Sequence, residues 1–528
     1  MSTQLKYTLT TSVLTALACL AGCVGPKYVK PRLETPAAFK ESSPAAYESA
    51  DAGAWKPAEP QDGVVRGKWW ESFGEPELNA LEEQLNINNQ NIAQFFQNFM
   101  AARAQVSVAR ASYFPTLTTT PSATRTHTSR AVASASVTAA GTTTGGGTAT
   151  GGTANPGTTG TNGSTGPTFN EFQLPFDVSW EPDLFGRIRN TVRQARYAAQ
   201  VSAADLESER LTEQASLAEF YFQLRGQDAL QDLYNKTIEA QEKSLELVRV
   251  LFETGIDSPE DVAQAEVTLA NTQATAVGVA TNRAVYEHAI ATLIGKPASD
   301  FSMPVRVLTT AAPVLPVGVP SQLLERRPDI AAAERTMAEA NALIGVETAA
   351  YFPTLQLTAS GGWEAAAVSS LFTAPARFWS LGAAASEEIF DGGLRRATVR
   401  QYTAQFNADV ALYRQVVLTA FQQVEDYIAA VRVLSQQIER QRAAVTAAQK
   451  FLDIANSRYQ TGIDPYLNVI TAETTLLADE QTEVTLRVSE ITAAVQLIQA
   501  LGGGWDTSQL PSADGVTSAT TAQQLSQH

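Results

Sequence analysis

Apolar residues recur through the second half of the chain at Val399, Tyr402, Phe406, Val410, Tyr413, Val417, Phe421, Val424, Ile428, Val431, Leu434 and Ile438. Eleven steps cover 39 residues (438 − 399), a spacing close to the 3.5 of a coiled-coil seam. Leu394 to Thr461 contains neither proline nor glycine, and Arg187 to Thr254 contains no proline and one glycine, Gly226. Each stretch predicts a single helix of about 65 residues, ~100 Å long and far beyond the helices of ordinary globules. Charged residues recur throughout both, so neither is a lipid-crossing apolar helix. A different period governs Glu171 to Trp180. Phe172, Leu174, Phe176, Val178 and Trp180 fall on one face of a strand, and Glu171, Gln173, Pro175, Asp177 and Ser179 on the other. Leu355, Leu357 and Ala359 alternate with Thr354, Gln356, Thr358 and Ser360 in the same way. Weaker partner strands are expected near Leu117–Arg125 and Phe378–Phe390.

These patterns are written twice. Tyr113-Phe114-Pro115-Thr116-Leu117 returns as Tyr351-Phe352-Pro353-Thr354-Leu355, 238 positions on (351 − 113). Thr254-Gly255-Ile256-Asp257 returns as Thr461-Gly462-Ile463-Asp464, and Ile294-Gly295 as Leu501-Gly502, both 207 positions on (462 − 255, 502 − 295). The first repeat therefore carries about 31 extra residues (238 − 207) between its Tyr-Phe-Pro and its long helices. Ala131 to Asn170 accounts for them: it has no charged residue, is mostly Gly, Thr, Ala and Ser, and reads as a flexible surface loop. Gly255 and Gly462 suit the left-handed end of a helix, and Pro259 and Pro465 the first turn of the next, so each repeat ends in a long antiparallel hairpin. The expected layout is a first repeat over 69–300, a linker over 301–327, a second repeat over 328–505 and a disordered tail over 506–528.

The beginning of the chain adds a location. Val13-Leu14-Thr15-Ala16-Leu17-Ala18-Cys19-Leu20 is a short apolar core of the signal-peptide kind, too short to span a bilayer. Leu20-Ala21-Gly22-Cys23 resembles the bacterial lipobox, which implies cleavage after residue 22, acylation of Cys23 and, with Val24 following, sorting to the outer membrane. Residues 23–68 then read as a lipid-anchored tether, rich in Pro and Ala after residue 31. Cys19 leaves with the signal, so no disulfide can staple the mature chain. A lipid on one residue gives peripheral attachment only, so the strands must do the spanning. Two strands per repeat make four per chain. Four strands leave open edges, which lipid does not tolerate, and three chains would supply twelve, within the range of bacterial barrels.

Several motifs together resemble the NodT branch of the TolC/OprM-like outer-membrane factor lipoproteins. They are Cys23-Val24-Gly25-Pro26-Lys27-Tyr28-Val29-Lys30-Pro31, Trp180-Glu181-Pro182-Asp183-Leu184-Phe185-Gly186, Leu324-Glu325-Arg326-Arg327-Pro328-Asp329-Ile330 and Ala500-Leu501-Gly502-Gly503-Gly504-Trp505. The resemblance covers nearly all of the chain from Cys23 to Trp505. It implies a mixed α and β membrane protein whose duplicated strand pairs and helical hairpins assemble as a homotrimer. That trimer would form a 12-stranded β-barrel in the outer-membrane lipid, continuous with a periplasmic α-helical barrel. It also implies a passive export duct, a periplasmic adaptor as partner, and an inner-membrane pump reached through the adaptor. The tips Thr254, Gly255, Ile256 and Thr461, Gly462, Ile463 resemble the family's adaptor-docking motif, although the glycines also serve simply to turn the chain. The family's gate maps onto Tyr459 linked to Asp261; packing of Tyr459 between helices is the plainer alternative. Asp464 replaces a family arginine, and Asn468 and Thr471 replace the aspartates of the family's constriction. That leaves Asp464 and Asp257 as the acids nearest the tip.

The remaining chemistry is negative. The formal charge of −16 and the lack of a basic domain argue against nucleic acid as a partner. His127, His288 and His528 are the only histidines, and no spacing suggests a metal site. No phosphate-binding glycine loop or nucleophile elbow occurs, so no catalytic residue and no cofactor are expected. Arg327, Pro328 and Asp329 read as architecture between the repeats. The competing picture is a lipid-anchored coiled-coil tether or adhesin, which would need neither strands nor duplication.

Overall fold

The structure, a computed structural model, describes residues 25–31, 36, 39–42, 67–127, 168–313, 325–512 and 515–517. The signal segment, Cys23, most of the 32–68 tether and nearly all of the glycine- and threonine-rich tract lie outside the described residues. The longer elements, in chain order, are α1 (Pro76–Asn88), α2 (Gln90–Ala111), β1 (Thr116–Thr119), β2 (Ser122–His127), β3 (Thr168–Trp180), α3 (Arg187–Glu253) and α4 (Pro259–Leu293). The second repeat supplies α5 (Pro328–Ala349), β4 (Thr354–Ala365), β5 (Arg377–Ser386), α6 (Leu394–Gln460) and α7 (Tyr466–Ala500). The duplication is exact in length: α3 and α6 have 67 residues each, α4 and α7 have 35, and α2 and α5 have 22.

The chain divides into two compact units. The strand unit comprises the described residues of 110–189 and 347–395. Its strands form one antiparallel sheet in the order β1/β2, β3, β4, β5. β1 and β2 pair with β3 in a single unbroken register, Leu117 opposite Val178 and Ala123 opposite Phe172. They count as one strand interrupted at Thr120-Pro121, where proline has no N–H for the ladder. The expected four strands per chain are thus present, with two revisions. β3 begins at Thr168, and β5 ends at Ser386 instead of running to Phe390. Asp391 ends that run by accepting from the backbone N–H of Gly393 at 2.8 Å and of Arg395 at 3.1 Å, which starts α6. The sheet leaves large apolar side chains uncovered, with Trp379 78% and Leu381 76% exposed. A water-soluble sheet buries one face; this one does not.

The helical unit comprises 25–109, 190–346 and 396–528. The predicted seam of α6 is its buried stripe: Tyr413, Val417, Val424, Ile428, Val431 and Ile438 are all buried. Tyr413 and Val417 pack with Ile330 and Met337 of α5. All four hairpin helices end in the same left-handed glycine cap. The N–H of Ile256 bonds Leu251 O at 2.8 Å and that of Gly255 bonds Phe252 O at 2.9 Å; Ile463 and Gly462 repeat this with Arg458 and Tyr459. Gly295 and Gly502 close α4 and α7 likewise. These last two caps are locked by equivalent contacts. Asn89 donates to Leu293 O and Arg327 donates to Ala500 O, each at 3.0 Å. Arg327 also bonds Asp329 and Gln423, so its role is structural.

The helical unit orders more of the connecting chain than composition suggests. Arg225, buried, donates to Asp228 Oδ2 at 2.9 Å and to Pro304 O at 2.7 Å; Asp228 also accepts from Arg283 Nε at 2.7 Å and from the N–H of Arg306 at 3.0 Å. A buried ion network therefore pins 301–313 to α3 and α4. Within the tether, Lys40 and Glu41 donate backbone N–H groups to Glu425 at 2.7 and 3.0 Å. The tail from 506 is also packed where it is described: Pro511 O accepts from Gln200 at 2.7 Å and Val516 is fully buried. The polar composition that predicted disorder conceals these few anchors.

Candidate gate and docking tips

The two hairpins meet near their tips in an apolar cluster. Leu245 and Val248 of α3, Ala265 of α4, Ala455 and Tyr459 of α6, and Tyr466, Val469 and Ala472 of α7 are all buried there. Tyr459 and Tyr466 lie with ring centroids 5.2 Å apart, and the hydroxyls of Tyr466 and Ser244 are hydrogen-bonded at 2.9 Å. Leu245 and Val248, Ala455 and Tyr459, and Tyr466, Val469 and Ala472 each lie one helical turn apart, so the cluster follows from the helix period.

Its polar links differ from the expected ones. The Tyr459 hydroxyl donates to Asp257 Oδ2, not to Asp261. Asp261 is occupied in a capping box: its N–H donates to Ser258 Oγ at 3.2 Å, while its carboxylate accepts from the Ser258 N–H at 3.3 Å and hydroxyl at 2.7 Å. Burial, with the carboxylate of Asp257 next, raises the Tyr459 phenol above its ordinary range. Burial likewise pushes Tyr466 up to about 12. Asp464 is not an uncompensated acid. Arg458 Nε and Nη2 hold it at 2.6 and 3.0 Å, which lowers its pKa. Asn468 and Thr471 are exposed on α7, and the Thr471 hydroxyl bonds its own helix at Leu467 O, 2.8 Å away. Thr254, Gly255, Ile256, Thr461, Gly462 and Ile463 are exposed, and a Cβ added at either tip glycine would meet nothing within 4 Å.

Sequence reasoning missed Arg458, Tyr466 with Ser244, and Glu473. Arg458 was findable, because a left-handed cap folds the residues after the glycine back over the last turn of the helix. Glu473 was not: its Oε2 is buried without a hydrogen-bond partner, and burial pushes its carboxyl up to about 7. Nothing in an amphipathic pattern separates such a carboxylate from a solvated one. Among the described residues no helix is long and apolar enough to cross a membrane, and no acid, histidine and cysteine cluster could hold a metal.

A doubled strand pair with uncovered apolar side chains, alternating with doubled hairpins of this length, defines an outer-membrane export channel. The chain belongs to the outer membrane efflux protein family, whose model matches residues 81–296 and 319–503. The toluene efflux pump outer membrane protein TtgC of Pseudomonas putida is 30% identical over 94% of this chain and 96% of its own length. The pyoverdine export outer membrane protein OpmQ of Pseudomonas aeruginosa is 29% identical over 83% of this chain and 87% of its own. Among solved structures, the outer-membrane channel OprN superposes with a TM-score of 0.78 at 29% identity, covering 92% of this chain and all of that one. The tether or adhesin alternative receives no support from these relatives.

Proposed function

We propose that three copies of this chain close into one passive duct that carries small molecules out through the outer membrane. The observation that carries this reading is the sheet: among the described residues it has four strands in effect, uncovered apolar side chains, and one neighbour each for its two outer strands. Unpaired edges are costly in lipid, and twelve strands from three chains remove them. The sequence carries no phosphate-binding glycine loop, and the energy comes from an inner-membrane pump coupled through a periplasmic adaptor that meets the exposed Gly255 and Gly462 tips. Cys23 carries the acyl anchor, and the Tyr459–Asp257 link holds the inner end closed. Relatives named for toluene and for pyoverdine match this chain over 94% and 83% of its length, which supports a duct whose cargo is chosen by its pump. Detergent-extracted protein should have the mass of a trimer and should conduct ions in planar bilayers. Protein that is only monomeric and gives no conductance would overturn the reading.

A further inference from the structure

The helical unit holds a polar cavity of about 160 Å³ between α3, the start of α5, α6 and α7. It is several times the roughly 30 Å³ share of one water and below the roughly 300 Å³ at which sites for drug-sized ligands begin. A ligand of one ring suits such a space. Leu211, Pro328 and Ala500 are its apolar lining, and the other side chains carry amide, hydroxyl or charged groups.

The groups left over for a ligand follow atom by atom. Arg327 donates to Gln423 Oε1 at 2.9 Å. A guanidinium only donates, so the oxygen of that amide faces Arg327 and its NH2 group is left over. Thr212 gives its hydroxyl proton to Ser208 O at 2.9 Å and therefore meets Gln499 Nε2, 3.4 Å away, as an acceptor. Gln499 Oε1 is then left over. The Tyr427 hydroxyl has no hydrogen-bond partner among the described residues. The cavity thus presents a donor, an acceptor and a hydroxyl that does both. Its charge is already balanced, because Arg327 holds Asp329 through two bonds of 3.0 and 2.7 Å. An anion would meet the Asp329 carboxylate, and an apolar ligand would leave the amides unpaired.

The duplication supplies an internal control. Gln423, Tyr427 and Gln499 correspond to Ser216, Phe220 and Thr292, each 207 positions earlier (423 − 216, 427 − 220, 499 − 292). Ser216 and Thr292 give their hydroxyls to their own helices, at Thr212 O and His288 O, 2.8 and 3.0 Å away. Phe220 stacks on Tyr286. Those residues satisfy the same helix packing with no polar group left over, so the fold does not demand the amides and phenol of the second repeat.

We propose that this cavity binds one neutral sugar ring bearing an acetamido group. The acetamido carbonyl accepts and its N–H donates, the complement of Gln423 Nε2 and Gln499 Oε1. Ring hydroxyls both donate and accept, as the Tyr427 hydroxyl does, and the tyrosine ring sets an apolar surface beside that polar tip. A protein of the outer membrane that extends into the periplasm meets such rings from two sources, a glycan strand of the cell wall and a free sugar. Every lining residue belongs to one chain, so the proposal does not rest on closure of a ring of three.

Calorimetric titration of the full-length protein, in a detergent without a sugar head group, tests it with N-acetylglucosamine, its tetramer chitotetraose and glucose. N-acetylglucosamine should bind saturably, and glucose, which lacks the amide, more weakly. Tyr427→Phe/Gln499→Thr installs the first repeat's own residues and should weaken binding about tenfold through the loss of two hydrogen bonds. A melting temperature equal to that of the unmutated protein assigns this loss to the cavity. No saturable heat from N-acetylglucosamine or chitotetraose, equal affinity for glucose, or unchanged affinity in the variant would overturn the assignment. Sedimentation with isolated cell-wall sacculi separates the sources. Retention that chitotetraose competes away identifies the wall glycan, and binding of the sugar without retention identifies a free one.

Discussion

The phenol of Tyr459, next to last in the second hairpin's long helix, donates its hydrogen bond to Asp257 in the first hairpin's tip. The two residues are 202 positions apart (459 − 257) and belong to different repeats, so the bond ties one tip to the other. A bond to a charged acceptor contributes roughly 1.5–3 kcal/mol. Tyr459→Phe and Asp257→Ala should each raise single-channel conductance or open time in bilayers, and the double variant should add little to either. Asp261→Ala should act differently, by fraying the first turn of α4, and its effect should add to that of Tyr459→Phe. Full additivity of Tyr459→Phe with Asp257→Ala would show that they do not form one latch.

Glu473 should make the packing of the two hairpins sensitive to pH. Its carboxyl, raised by burial from the ordinary range to about 7, is favoured in the neutral form while the hairpins pack. A raised pKa contributes stability that is complete below the unburied value near 4.5 and is lost as pH rises through about 7. Conductance should therefore increase between mildly acidic and mildly alkaline buffer. Glu473→Gln should remain at the acid-like level throughout. A pH response of equal size in that variant would assign the sensitivity elsewhere.

Gly462 and Gly502 adopt similar left-handed conformations, yet alanine should affect them unequally. A side chain at Gly462 meets open space, so Gly462→Ala should cost about 1–2 kcal/mol from backbone strain alone. At Gly502 the added Cβ would lie 1.9 Å from Arg326 O, a contact that forces backbone to move. Gly502→Ala should cost about 3 kcal/mol or more. Thermal unfolding of the purified protein ranks the two, and equal melting temperatures would contradict the packing described.

Gly462→Glu should abolish export while leaving the protein level and assembly normal, because the tip is open to a partner and not to its own chain. Site-specific crosslinking to the adaptor measures this, and undiminished crosslinking would remove the glycine from the docking surface.

Cys23→Ser should eliminate incorporation of labelled fatty acid. Persistent labelling would place the lipid on another residue.

The long elements were legible because their signal is summed over many residues. The seam from Val399 to Ile438 and the alternation from Phe172 to Trp180 each repeat one physical requirement often enough to be unmistakable. The tips were legible in position, since glycine with a positive φ marks a helix end, but not in their bonding. Asp257 and Asp261 lie four residues apart, and only the placement of Ser258 as a helix cap decides that Asp261 is engaged locally while Asp257 is left to Tyr459. The ordering of 301–313 escaped notice because it depends on Arg225 and Asp228, two charges inside a helix whose pattern looks solvated until their burial is known.

The two tips of this chain have diverged in sequence and bonding. One offers Asp257 to its neighbour, whereas the other holds Asp464 to itself through Arg458. In a ring of single-motif subunits every substitution strikes all positions at once, so a change that improves one contact is imposed on the rest. Gene duplication removed that constraint. Positions that correspond between the repeats can then drift apart, one tip bonding across to the other hairpin and the other bonding within itself.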